Sequence, residues 1–287
     1  MTTTGSNGWR ARAGAWAADF KTFKQPATAS RGMVVTNHPM GSAAGVEMLA
    51  MGGNAIDAAV AAVFALSVVE PMMVGPFGAG YVNLLTSAGE SVVIDNYTVA
   101  PAAATPDMYR PVSDTWPDYL LAEDQENQVG YRAVGVPGNL RAWEELSDGW
   151  GRLGWEAVIQ PAIRYAQNGF PASEYLARLV EEHADAIGRF PATADIFLPG
   201  GSPPDVGQTI IRRDYAESLR AIAANGAREM YDGPLGHAIV EDMRRNGGLI
   251  TMDDLRSYET IRREPVRGTY RGFEIVGAPP GSTGVSL

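Results

Sequence analysis

The stretch from Gly52 to Pro71, GGNAIDAAVAAVFALSVVEP, constrains this chain more than any other. Gly52-Gly53 stops the preceding helix, because glycine takes positive φ without steric penalty. Asn54 is a preferred N-cap residue. Asp57 falls at the third helical position, where a carboxylate meets free N–H groups and the helix dipole. The helix that follows is apolar on every face. Such a helix is a buried one, so the rest of the chain has to pack around it.

The punctuation on either side predicts the other elements. Residues 33–36 read as a short β-branched strand, and Ser42 as the cap of a helix running to Met51. Pro71 ends the buried helix, and the glycine loop MMVGPFGAG follows. A hairpin is expected over 81–96, turning at residues 87–90. Residues 100–130 are irregular, and a helix begins near Pro137. Amphipathic helices over 155–167, 213–224 and 234–245 each stop at an Asn-Gly pair. Thr251 and Asp254 have capping-box spacing, and a second hairpin turns at Arg271-Gly272. The expected organisation is a polar arm, 1–28, and one α+β domain, 29–287, helix-rich in its second half.

Composition narrows the function classes. A chain of 287 residues that is 45% hydrophobic has enough apolar surface for a large core. A formal charge of −10 gains nothing from phosphate counterion release, which argues against nucleic acid. The absence of cysteine removes disulfides, thiolate nucleophiles and Cys-ligated zinc. The apolar run 58–69 is too short to span a bilayer, and the first twenty residues hold no signal-peptide core. These points predict a cytoplasmic protein without membrane attachment.

Several motifs invite a chemical reading. GPFGAG (Gly75, Gly78, Gly80) resembles a dinucleotide loop, but that fingerprint runs strand, loop, helix, and here a helix leads into a strand. Gly78 and Gly80 instead suit a loop bordering a substrate cleft, or a plain tight turn. His38, His183 and His237 lie far apart without metal-ligand spacing, so no metal and no cofactor is expected. Asp253-Asp254 is better explained as a helix start than as a catalytic pair. No G-x-S-x-G elbow is present. Removal of Met1 would expose Thr2, a possible N-terminal nucleophile, but the residues after it build no rigid site.

The ordered series GGNAIDAA, IDNYTVAP (94–101), AVGVPGNLRAWEEL (133–146), WEAVIQPAIRYAQNGFP (155–171), the segment 219–259 and YRGFEIVGAPPGSTG (270–284) resembles the gamma-glutamyltranspeptidase family over about residues 31–287. The resemblance implies part of an αββα N-terminal-nucleophile hydrolase sandwich. It also implies a precursor that cuts itself, so that a threonine opening the small C-terminal piece attacks an amide. No catalytic residue is then expected in this chain; the nucleophilic threonine is expected beyond Leu287, on a small-subunit segment that is this chain's partner. On that reading the chain is an incomplete large subunit, inactive alone, acting with its partner on a small-molecule amide. The alternative is a non-catalytic remnant or scaffold of the same fold.

One local departure matters. Where γ-glutamyl-specific members carry Arg-Glu, this chain has Tyr97-Thr98. That arginine grips the substrate α-carboxylate, which a planar guanidinium does with two charge-assisted bonds. A tyrosine hydroxyl supplies one neutral donor and no countercharge. The expectation is an acyl group other than γ-glutamyl. The plain alternative is that Tyr97 ends the hairpin and packs into the core.

Overall fold

A computed structural model describes residues 26–115 and 120–282. The chain divides into two compact units, Met1–Met33 and Val34–Leu287. Of the first, residues 26–33 carry no helix or strand. Thr2 and most of the expected arm lie outside the described residues.

The second unit is built around the predicted buried helix. Helix α1 (Pro39–Ala50) packs on α2 (Ala55–Val69). Asn54 caps α2 in a full capping box: its side chain accepts from Ile56 N and Asp57 N, and Asp57 accepts from Asn54 N. Phe64, at the centre of α2, is fully buried and meets Trp143 and Trp155 edge-on, with ring centroids 4.8 and 5.3 Å away. Those tryptophans belong to α3 (Asn139–Trp150) and α4 (Trp155–Asn168). The buried helix is thus wrapped by the next helices in sequence.

The Asp57 carboxylate reaches further. Besides Asn54 N at 2.7 Å, it accepts from Arg152 N at 3.0 and 3.1 Å and from Leu153 N at 3.0 Å. Asn54 Nδ2 donates to Trp150 O at 2.6 Å. The GGNAIDAA block therefore caps one helix and fastens the turn between two others. Its work is architectural.

The hairpin β1 (Gly80–Leu85) and β2 (Ser91–Asn96) forms as expected, and β2 also pairs with the distant edge strand β5 (Ile261–Arg263), giving the order β1-β2-β5. Helix α4 leads into the short β3 (Phe170–Pro171), then α5 (Glu174–Glu182), α6 (Ala184–Gly188) and α7 (Pro191–Phe197). Strand β4 (Thr209–Ile210) pairs with β3. Helices α8 (Arg213–Asn225), α9 (Arg228–Tyr231), α10 (Pro234–Arg245) and α11 (Met252–Ser257) follow. The edge strand β5 (Ile261–Arg263) and the hairpin β6 (Val266–Tyr270) and β7 (Phe273–Gly277) close the described part. No described helix is long and apolar enough to cross a membrane.

Three expectations need correction. Residues 33–36 pair with no described strand, since a β-branched run needs a neighbour to ladder with. Ser42 does not cap α1; Pro39 starts that helix and His38 caps it, while Ser42 Oγ bonds Thr36 Oγ1 at 2.9 Å. The stops at Gly169 and Gly226 have φ of 88° and 75° with extended ψ rather than the left-handed helical pair. That conformation is open to glycine alone, so the stop signal holds for a stricter reason. The order helix, glycine loop, strand over residues 55–85 also departs from the dinucleotide arrangement.

Candidate functional site

Register places Tyr81 and Asp95, next to the candidate Tyr97, on one face of the sheet. Tyr81 opposes Asp95, and Asp95 opposes Ile261. Directly opposed residues share a face, and residues two apart do too. Tyr81, Asn83, Asp95 and Arg263 therefore share one face, while Val82, Leu84 and Ile94 face the helical core. The end of β7 covers part of the first face, where Asn83 Nδ2 donates to Val276 O at 2.9 Å. A Cβ on Gly281 would lie 2.5 Å from the Tyr81 hydroxyl, so the turn at 280–282 also comes close.

Asp95 organises this surface. Its Oδ2 accepts from Arg263 Nε at 2.7 Å and its Oδ1 from Tyr97 N at 3.0 Å. The Tyr97 ring continues the face beyond β2, with its centroid 5.8 Å from that of Tyr81. Tyr97 is 54% exposed, so the expectation that it ends the hairpin inside the core is overturned. What is anchored is its backbone. Tyr258 Oη donates to Tyr97 O at 2.9 Å, and Thr98 Oγ1 donates to Val136 O at 2.8 Å. The Tyr97 backbone is thus held while its ring stays exposed.

Behind Tyr97 stands a buried phenol pair. Tyr258 stacks on Tyr231 with centroids 6.1 Å apart, and Tyr231 Oη donates to Pro137 O at 2.9 Å. The Arg141 guanidinium lies 4.3 Å above the Tyr231 ring. Burial, helped by the Asp95 charge, pushes the Tyr258 hydroxyl up to about 12. Burial raises Tyr231 as well, and both phenols stay protonated donors at neutral pH. The Tyr81 hydroxyl is raised too, by burial first and then by Asp95, with Arg263 opposing.

The two candidate glycines occupy the adjoining loop. Gly78 O accepts from Gly138 N at 2.9 Å and Asn139 N at 3.0 Å, tying the loop to the start of α3. A Cβ on Gly78 would sit 2.6 Å from Asn139 Nδ2, so the close approach requires glycine. Asn139 Nδ2 donates to Gly75 O at 2.8 Å. Gly80 opposes Asn96 at the start of β1 and has open space where a Cβ would stand. The structure thus brings Tyr97, Thr98 and Gly80 to one end of the β1–β2 ladder, with Gly78 beside them in the loop.

Sequence reasoning missed Tyr81, Asp95, Arg263 and Tyr258. Asp95 and Tyr81 were within reach, since one adjoins Tyr97 in the same segment and the other follows from hairpin register. Arg263 and Tyr258 come from more than 160 residues away, as their bonds to Asp95 and Tyr97 show, and no local pattern signals them. Chemically the surface offers aromatic rings, phenol donors and a carboxylate already neutralised by arginine. The Thr98 hydroxyl is committed to Val136 O. The surface is suited to recognising a group rather than attacking one.

Comparison with known proteins identifies the setting. The family model described as gamma-glutamyltranspeptidase matches residues 41–287. The chain is 49% identical over 271 residues to the acylase ACY 1 proenzyme of a Pseudomonas species, covering 94% of this chain and 49% of that protein. It is 37% identical to the glutathione hydrolase proenzyme of Bacillus subtilis, over 91% of this chain and 44% of the relative. Among solved structures, the gamma-glutamyltranspeptidase of Helicobacter pylori superposes with a TM-score of 0.82 at 33% identity, covering 91% of this chain and 73% of the other. The chain spans about half the length of the curated relatives it matches. Its fold is the large-subunit portion of an N-terminal-nucleophile hydrolase. The chain belongs to the gamma-glutamyltranspeptidase family.

Proposed function

We propose that this chain supplies the acyl-recognition side of an amidase or acyl transferase, while a companion C-terminal segment of the same precursor supplies a threonine nucleophile. The acyl group taken is not γ-glutamyl. The observation that carries this reading is the presented Tyr97 ring, 54% exposed and set against Tyr81. The cation on the same face, Arg263, is already paired to Asp95 at 2.7 Å. A substrate α-carboxylate placed there would meet a phenol and lose the charge-assisted bonds that arginine provides, each worth roughly 1.5–3 kcal/mol. An acyl chain without that carboxylate loses nothing and gains contact with two aromatic rings. The proenzyme relatives, about twice as long as this chain, support a companion segment.

The test uses the chain together with its C-terminal companion. Hydrolysis of butanoyl 4-nitroanilide is compared with that of γ-glutamyl 4-nitroanilide. The butanoyl substrate is expected to have the higher kcat/KM, and Tyr97→Arg to raise the γ-glutamyl value at least tenfold, as one charge-assisted bond predicts. A γ-glutamyl preference in the unaltered enzyme refutes the acyl assignment. Absence of any amide turnover, with the companion bound, favours the scaffold reading.

A further inference from the structure

A second site lies away from the Tyr97 face. A cavity of about 680 Å³ opens between the start of α1, the segment after α2 and the start of α5. Met40, Met73 and Tyr175 give it apolar walls. Two buried polar side chains interrupt them: Glu70, 2% exposed, and His38, 7% exposed. Glu70 Oε2 accepts from Asn37 Nδ2, and its other oxygen has no partner among the described residues. No lysine or arginine lines the cavity. His38 Nδ1 accepts from Met40 N at 3.2 Å, which places the ring proton on Nε2. That N–H is also without a partner among the described residues.

Burial lowers the His38 pKa and keeps the ring neutral, so the Nε2–H donor persists at neutral pH. Burial raises Glu70, with the Asn37 bond opposing. Buried carboxylates are ordinarily paired with a cation, because an uncompensated charge is expensive to desolvate. Among the described residues no cation pairs with Glu70, and its carboxylate lines the open volume.

We propose that this cavity binds a primary ammonium ligand of the kind found at a peptide N-terminus or in an amino-acid amide. The ammonium pairs with the unpartnered oxygen of Glu70. The adjacent carbonyl accepts from His38 Nε2–H. The apolar side chain lies against Met40, Met73 and Tyr175. This site does not depend on the acyl reading of Tyr97.

Isothermal titration of the 287-residue chain, assembled with its C-terminal companion, with L-leucinamide and N-acetyl-L-leucinamide at pH ~7 tests it. L-Leucinamide is expected to bind, and acetylation, which removes the ammonium charge, to weaken binding at least about tenfold. Glu70→Gln is expected to do the same, and Tyr97→Ala to leave binding unchanged. Equal binding of the two ligands, no binding of L-leucinamide, full binding by a folded Glu70→Gln chain, or loss through Tyr97→Ala would each overturn the proposal. The acetylation comparison uses the unaltered chain, so it decides even where Glu70→Gln fails to fold.

Discussion

Replacing Asp57 with asparagine preserves side-chain volume but turns one carboxylate oxygen into an NH₂ donor. The carboxylate, 1% exposed, accepts from three backbone groups: Asn54 N, Arg152 N and Leu153 N. Arg152 N reaches both oxygens, so it keeps an acceptor in either amide orientation. The other two do not. With the NH₂ in the Oδ2 position Asn54 N faces a donor; in the Oδ1 position Leu153 N does. One buried N–H therefore loses its acceptor, at about 1–3 kcal/mol, and the remaining bonds lose their charge assistance, at about 1 kcal/mol together. The expected loss is about 2–4 kcal/mol for Asp57→Asn and about 4–6 kcal/mol for Asp57→Ala, which orphans all three donors. Thermal unfolding followed by tryptophan fluorescence suits the measurement, since Trp143 and Trp155 pack on Phe64 beside this turn. At about 2–4 °C per kcal/mol for a domain of this size, Tm for Asp57→Asn should fall by roughly 10 °C. A fall below about 2 °C would show that the GGNAIDAA block does not fasten the α3–α4 turn.

Asp254 gives a pH-dependent prediction. Burial alone would raise its pKa, but hydrogen bonds from Ala102 N, Thr251 Oγ1 and Thr251 N outweigh that and hold it below the ordinary 3.8. A folded-state pKa below the unfolded value contributes stability that is present above the unfolded pKa and lost as pH falls through the folded one. The stability gap between the unaltered chain and Asp254→Asn should therefore be full at neutral pH and close in acid; urea midpoints across that range check it, and a constant gap contradicts it. Arg212 Nη1 donates to Ser67 O at 2.8 Å and Val68 O at 3.0 Å, closing the C-terminal end of α2, and its guanidinium lies 4.2 Å over the Tyr215 ring. Arg212→Met should cost about 2–3 kcal/mol in chemical denaturation; a loss under about 0.5 kcal/mol argues against that role.

Legibility followed the range of the interactions. The buried helix, its Asn54-Asp57 box, both hairpins and the Thr251-Asp254 box are local, and their spacing alone specified them. Helices α5 to α7 could not be delimited because each is short and draws its order from packing, as Phe197 does in the core. The cap of α1 was misplaced because histidine is an uncommon N-cap, while Pro39 at the first helical position was the better start signal. At the candidate site, Tyr97 could be singled out from one segment, but what makes it a presented ring could not. Tyr258 beneath its carbonyl and Arg263 beside Asp95 arrive through tertiary pairing alone. The cavity at Glu70 and His38 is assembled in the same way, from three stretches distant in sequence.

The central claim is a division of labour, with recognition on this chain and attack by a threonine on its companion. The most direct measurement is intact-mass and peptide-mapping spectrometry of the assembled pair, quenched during turnover of the butanoyl anilide. The account predicts a butanoyl adduct confined to the companion's N-terminal threonine, reduced in a Tyr97→Arg chain. An adduct on any side chain of residues 1–287 would contradict it.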